Sequence, residues 1–332
     1  MNKEIILVTA FFDINRKDFE TYPRTNEKYF EYFSFWARMK NRLVVYCAEN
    51  DYKTIYDIRR SFGLEEKTEI IIIDNIFEIE PNLYENMERI SHSEDFNDFR
   101  YFNKSPENKA TYSYVVLMKS WFVYDVSKRY KDVNIAWIDF GFNHGGEFYT
   151  DKNDFNYTWD YDFPDKITVF CLENPDKISS IDSLQFQIVS IMGAPVIIPD
   201  SLAKKNWEFQ KNAMWSLISL DCIDDDQQML LMSYKLHKEL FNIVYCDWFE
   251  PLAVCSNGKV FSTIHDSIQT NKLNKPVKKK LTIKKQIKKQ IKKLKKNPFE
   301  NNRKQREQLL TDDQLFLIRM KEKTKKYYGK DI

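Results

Sequence analysis

Three apolar runs near the start of the chain constrain its fold most: Ile5-Ile6-Leu7-Val8, Leu43-Val44-Val45-Tyr46 and Ile70-Ile71-Ile72-Ile73. A strand with one wet face alternates apolar and polar residues, so runs without alternation predict strands buried on both faces. Helical patterns separate them. Residues 26–40 carry Tyr29, Phe30, Phe33 and Trp36 at helical spacing, and residues 51–62 follow the capping candidates Asn50 and Asp51. Strands alternating with helices predict an α/β chain with a mixed, mostly parallel sheet flanked by helices. Further along, residues 111–130 read as a long helix and Ile135-Ala136-Trp137-Ile138 as a central strand. A polar, aromatic-rich stretch at 143–165 reads as loop and hairpin, and Ile167–Phe170 as another strand. Helices are expected at 182–192, 201–220 and 225–240, with a strand at Ile243–Tyr245.

The formal net charge of +2 conceals two opposed halves. Residues 267–332 hold 22 Lys and Arg against 6 Asp and Glu, which leaves residues 1–266 acidic at −14. This predicts a folded domain over 1–266 and a lysine-rich helical tail over 267–332. Residues 272–296 contain 13 lysines and no acid, with Ile283, Ile287, Ile291 and Leu294 on one helical stripe. Such a basic amphipathic helix predicts attachment to an anionic membrane surface; non-specific phosphate binding to nucleic acid and a plain solvated tail are the rival readings. Residues 303–328 read as a further helix of mixed charge. No run is long and apolar enough for a membrane span, and no signal peptide opens the sequence, so a cytoplasmic protein held at the inner membrane face is expected. The five cysteines form no CxxC pair and read as small buried residues.

With 7 glycines and neither GxGxxG nor GxxxxGK[ST], the sequence gives no support for a Rossmann or P-loop site. Candidate chemistry lies elsewhere. Asp139 directly follows an apolar strand in Trp137-Ile138-Asp139-Phe140-Gly141. Ligands of open α/β sheets bind beyond the carboxyl ends of the strands, where such an acid could hold a divalent cation or face a diphosphate; capping of a turn is the plain alternative. Asp-Phe-Gly also occurs in kinases, but no Gly-rich or His-Arg-Asp loop accompanies it. Asp224-Asp225-Asp226 precede an apolar helix start, where three acids suit the helix dipole yet repel one another unless partnered. Thr9-Ala10-Phe11-Phe12-Asp13 after the first strand suit a uracil-type base, unless the rings are core. Arg16, Arg24 and Lys119 are candidate diphosphate partners, and His144 could reach Asp139.

These segments resemble the HtrL/YibB family of bacterial proteins, related to WlaTC-type proteins of surface-polysaccharide loci. The resemblance spans about residues 4–265 and rests on Val8–Asp13, Asn26–Phe33, Leu117–Ser120 and Trp137–Gly141. The order of motifs is also similar to that of GT-A glycosyltransferases. In that resemblance Asp139 stands at the Asp-x-Asp position, Gly193 and Ala194 at the acceptor loop, Asp225 and Asp226 at the second acidic motif, and His265 at the late histidine. Gly141 replaces the second Asp, so His265, His144 or water would have to complete a Mn2+ or Mg2+ shell, or the metal is dispensable. The resemblance implies a GT-A-like fold and transfer of a sugar, UDP-linked by expectation, to a glycan or lipid-linked acceptor of lipopolysaccharide, lipooligosaccharide or capsule. Asp225 or Asp226 would act as base, with no specific nucleic acid involved. A non-catalytic binder of glycans or nucleotide sugars on the same scaffold is the alternative.

Overall fold

The computed structural model describes residues 2–263 and 311–328. Seven strands form one sheet: β1 (Glu4–Phe11), β2 (Leu43–Cys47), β3 (Thr68–Ile72), β4 (Val133–Trp137), β5 (Ile167–Cys171), β6 (Ile191–Pro199) and β7 (Phe241–Tyr245). Their spatial order is β3-β2-β1-β4-β6-β5-β7. Only β6 runs against its neighbours β4 and β5; the other pairings are parallel. The sheet is therefore the mixed, mostly parallel, helix-flanked one expected.

Alternate residues of each strand feed opposite cores. Ile6, Val8, Val44, Tyr46, Ile135 and Trp137 face one side. There they meet α3 (Pro81–Ser91), α5 (Ala110–Arg129), α7 (Asp200–Ile218) and α8 (Asp226–Leu236). Leu7, Leu43, Val45, Ala136 and Ile138 face the other side, against α1 (Asn26–Trp36) and α2 (Glu49–Arg60). Two-sided burial is what the unalternated runs demanded. Helix α2 starts at Glu49 with Ala48 at its cap, so Asn50 and Asp51 lie inside it rather than capping it. The 143–165 stretch makes no hairpin among the described residues. Asn143 instead accepts from Tyr149 N at 2.7 Å and donates to its carbonyl at 3.0 Å, folding the segment so that Tyr149, Phe155 and Trp159 roof the α1 face.

The sequence reading departs most from the structure around residue 191. The helix expected over 182–192 is the short α6 (Ser180–Phe186), and Ile191–Pro199 is a central strand. Pro195 and Pro199 argue against a central strand. The ladder accommodates Pro195: pairing jumps from Val196 opposite Val169 to Ile191 opposite Cys171, so residues 192–195 bulge out of register.

Helix α4 (Glu94–Phe99) precedes a loop anchored by Arg100, which is fully buried. Arg100 donates to Asp224 at 2.7 and 3.2 Å and to Leu184 O at 2.8 Å. After a short α9 (Pro251–Val254), the last described helix is α10 (Asp312–Tyr328). The chain past 266 is not wholly separate from the domain. Phe316 packs 5.3 Å from Tyr101 and 5.8 Å from Phe186, and Arg319 donates to Asn97 O and Tyr101 O, both at 2.8 Å. The basic stripe over 272–296, with the membrane attachment expected of it, and His265 lie outside the described residues. Among the described residues no helix is long and apolar enough to cross a membrane.

Removing one partner of a buried ion pair strands the other charge, at a cost of about 3–5 kcal/mol. Asp224→Ala is therefore expected to destabilise the domain by that order in denaturant melts. A loss below about 1 kcal/mol, the range of surface pairs, would show the Arg100 anchor to be dispensable.

Candidate active site

The strand order reverses between β1 and β4, and in open α/β sheets the ligand crevice opens beyond the strand ends at that point. A cavity of about 860 Å³ lies there. Residues 10–14 and 16 at the end of β1 and 139–142 and 144 after β4 line it, together with one face of α5, the β6 bulge and the loop after β7. Tyr112, Val115, Val116 and Lys119 are spaced at i, i+3, i+4 and i+7, which puts them on one side of α5. A smaller cavity of about 260 Å³ adjoins it, shares Phe12, Asp13 and Asn26, and adds Asn50, Asp51 and Asp74 from beyond β2 and β3.

The three successive acids take three different jobs. Asp224 is held by Arg100. Asp225 caps α8, accepting from Gln227 N at 3.0 Å. Asp226 opens α8 and turns into the cavity, with Lys119 Nζ 2.8 Å from its Oδ2. That contact is an ion pair rather than a well-directed hydrogen bond. Lys119 also meets Asp139 Oδ1 at 2.8 Å, and Trp137 Nε1 donates to the same oxygen at 2.7 Å. Burial works against the Lys119 ammonium, but Asp139 and Asp226 outweigh it and hold its pKa above the ordinary value. Burial pushes the Asp226 carboxyl up, with Lys119 opposing. For Asp225, burial and the neighbouring Asp224 and Asp226 all act upward, so its carboxyl titrates well above the usual range.

Gly193 owes its lack of a side chain to Asp226: a Cβ there would meet Asp226 Oδ1 at 2.7 Å and Cγ at 2.8 Å. Gly193 and Ala194 do line the cavity, from a strand bulge rather than a loop. Arg16 is buried between the rings of Phe19 and Tyr112, 4.7 and 4.8 Å from their centroids. Its Nε and Nη1 are buried without any acceptor. Arg24 lines the cavity beside Tyr29.

The remaining expected residues divide. Ala10, Phe12 and Asp13 border the cavity; Asp13 accepts from Asn15 N and Asn26 Nδ2, fixing the turn after β1. Phe11 reaches the wall but is core, packed 4.9 Å from Phe30 and 5.0 Å from Phe140. Thr9 is fully buried in β1, opposite Val45, and does not reach the cavity. His144 reaches the wall, but its Nδ1 is engaged by Glu147 at 2.6 Å, and burial and then Arg24 lower its pKa. A divalent cation does not fit what is described. Asp139 and Asp226 already hold an ammonium between them, and among the described residues no three His, Cys, Asp or Glu side chains are arranged to bind a metal. The sequence reading also missed Tyr112 and the Trp248-Phe249 pair that closes one wall. The seven-residue spacing from Lys119 could have found the first, and two aromatics between strand and Pro251 could have found the second.

The chain belongs to the HtrL_YibB family, described as "Bacterial protein of unknown function", whose profile matches residues 3–256. Protein HtrL of Escherichia coli (strain K12) is 25% identical over 271 residues, covering 75% of this chain and 92% of that one. The apo crystal structure of mouse xyloside xylosyltransferase 1 aligns at a TM-score of 0.39 with 10% identity, over 75% of this chain and 90% of that chain.

Two outcomes follow from the acid cluster. Gly193→Ala is expected to cost about 1–3 kcal/mol by overpacking, and most of that cost should vanish in an Asp226→Ala background. An unchanged cost in a double-mutant denaturation cycle would show that Asp226 is not what occupies the space. Because the folded state holds the Asp225 proton more tightly than the unfolded chain does, that carboxyl's contribution is full below pH 4 and is lost as pH rises. Asp225→Asn keeps a capping side chain without the charge. It should melt higher than wild type at pH 7–8, by a few degrees at about 2–4 °C per kcal/mol, with the gain fading toward pH 4. Parallel melting curves across that range would reject the assignment.

Proposed function

We propose that this protein is a GT-A-like glycosyltransferase that holds a nucleotide-diphosphate sugar in the cavity at the β1/β4 switch. The observation that carries this reading is Arg16, a buried guanidinium with two unpartnered N–H positions in a cavity wall. Leaving such donors buried and unmet is costly, and phosphate oxygens are the acceptors a guanidinium meets best. The adjoining cavity, with Asp13, Asn26, Asn50 and Asp74 around Phe12, suits the polar edges and one flat face of a nucleoside. Asp226 also lines the cavity, 2.8 Å from the Lys119 ammonium. In transfer, the acceptor hydroxyl forms the new bond to the anomeric carbon as the bond to the diphosphate oxygen breaks. Asp226 takes the hydroxyl proton, and Arg16 holds the departing diphosphate. Asp139, which also lines the cavity, orients the sugar. The acceptor is proposed to be a cell-surface glycan or its lipid-linked precursor.

Calorimetry and turnover assays against a panel of UDP- and GDP-sugars test this. Arg16→Ala should weaken donor binding by about 10- to 100-fold, the worth of a charge-assisted hydrogen bond. Asp226→Asn should lower turnover by about 100-fold or more while donor affinity stays within a few-fold. Failure of every nucleotide sugar to bind would overturn the reading, and tight binding without turnover would make this a nucleotide-sugar-binding protein instead.

A further inference from the structure

The cavity contains an arrangement that the proposed transfer does not by itself require. Two carboxylates from separate elements, Asp139 after β4 and Asp226 at the start of α8, converge on one point. Convergent carboxylates beside a diphosphate are what a divalent cation needs. That point is already occupied by the Lys119 ammonium, 2.8 Å from an oxygen of each. The placement is held from several sides. Trp137 Nε1 pins Asp139 Oδ1, the Lys119 Nζ lies 6.0 Å from the Trp137 ring centroid, and Gly193 leaves the space that Asp226 fills. Lys119 comes from the middle of the 20-residue α5, so its backbone cannot move aside as a loop residue's could. A divalent ion entering here would have to displace the ammonium or stand against it at like charge.

We propose that Lys119 is the resident cation of this site, supplying in place of a divalent metal the positive charge that a nucleoside diphosphate requires. This rests on the nucleotide-sugar reading above. Beside their roles in transfer, the two carboxylates hold the ammonium in the cavity wall, where its charge acts together with Arg16 on the donor diphosphate, and transfer proceeds without added metal. Removing the lysine then leaves two facing carboxylates around an open cation site.

The test uses the full chain and its Lys119→Ala variant, with UDP and GDP as probes. Mn2+ uptake is read by electron paramagnetic resonance, and nucleotide affinity by calorimetry in EDTA and in Mg2+. Wild type should take up no Mn2+ at micromolar concentration, and should bind UDP or GDP with affinities within twofold in EDTA and Mg2+. Lys119→Ala should bind the nucleotide at least tenfold more weakly in EDTA, acquire one Mn2+, and recover affinity when metal is added. Micromolar Mn2+ binding by wild type, or nucleotide binding that disappears in EDTA, overturns the lysine proposal and leaves the glycosyltransferase reading standing. If neither nucleotide binds under any condition, that reading fails. The Mn2+ titration then decides the lysine's place alone: uptake by the variant only upholds it, and uptake by neither overturns it. Should Lys119→Ala not fold, the wild-type response to EDTA still decides the proposal.

Discussion

Covering both faces of a sheet leaves its strand ends as the place where polar chemistry can be both built and reached. In this chain Ile6 and Val8 point to one core while Leu7 and Thr9 point to the other, so a polar side chain within β1 has nowhere wet to go. Thr9 illustrates the consequence: its hydroxyl is buried without a partner, one residue before Ala10 reaches the cavity wall. The same constraint places Phe12, Asp13 and Arg16 just beyond β1, and Asp139 just beyond β4, at the two neighbouring ends where the winding direction reverses. One antiparallel strand, β6, breaks the pattern usefully. Its direction brings its start, not its end, to the same edge, and the bulge at 192–195 is what lets Gly193 back onto Asp226.

Within that frame the charges are arranged by subtraction. Three adjacent carboxylates would destabilise one another if all were free and ionised. Arg100 neutralises the first, a cap and a raised pKa dispose of the second, and Lys119 balances the third against Asp139. Of the three, Asp226 alone both lines the cavity and has a cation at hand, which is why the proton-accepting role is proposed for it rather than for Asp225.

The fold class was legible because unalternated apolar runs and long helical spacings are strong, local signals, and β1, β2, β4 and α5 lie within a few residues of their expected places. Strand β6 was not, since its two prolines and one glycine contradict strand propensity and only the bulge resolves the conflict. In the site, Asp139 and Asp226 could be read as acids at element ends, and Lys119 as a possible phosphate partner. That the three meet could not be read, because they are separated by 20 and 87 positions in the sequence and nothing local encodes their convergence. The metal shell expected from the sequence was drawn around Asp139 without the lysine that lies between it and Asp226. Arg16 resembled any surface arginine until its ring sandwich and its unmet N–H groups were visible.

The loop between α4 and α5 shows how the periphery bears on this cavity. On its inner side Arg100 ties the loop to Asp224, one residue before the cap of α8. On its outer side Tyr101 packs against Phe316, donates its hydroxyl to Asp313 of α10 and accepts from Arg319 at its carbonyl. Five residues on, Pro106 and Glu107 form part of the cavity wall. The loop is thus clamped between a buried ion pair and a docked helix, and neither clamp alone fixes it: the ion pair sets one residue's position, whereas the helix restrains the backbone on either side. A binding wall that holds its shape before the ligand arrives spares the ordering cost that a free loop would incur on binding. On this argument α10, although it belongs by composition to the basic half of the chain, is part of the acidic domain's working structure, and the division between the two halves of the chain is electrostatic before it is architectural.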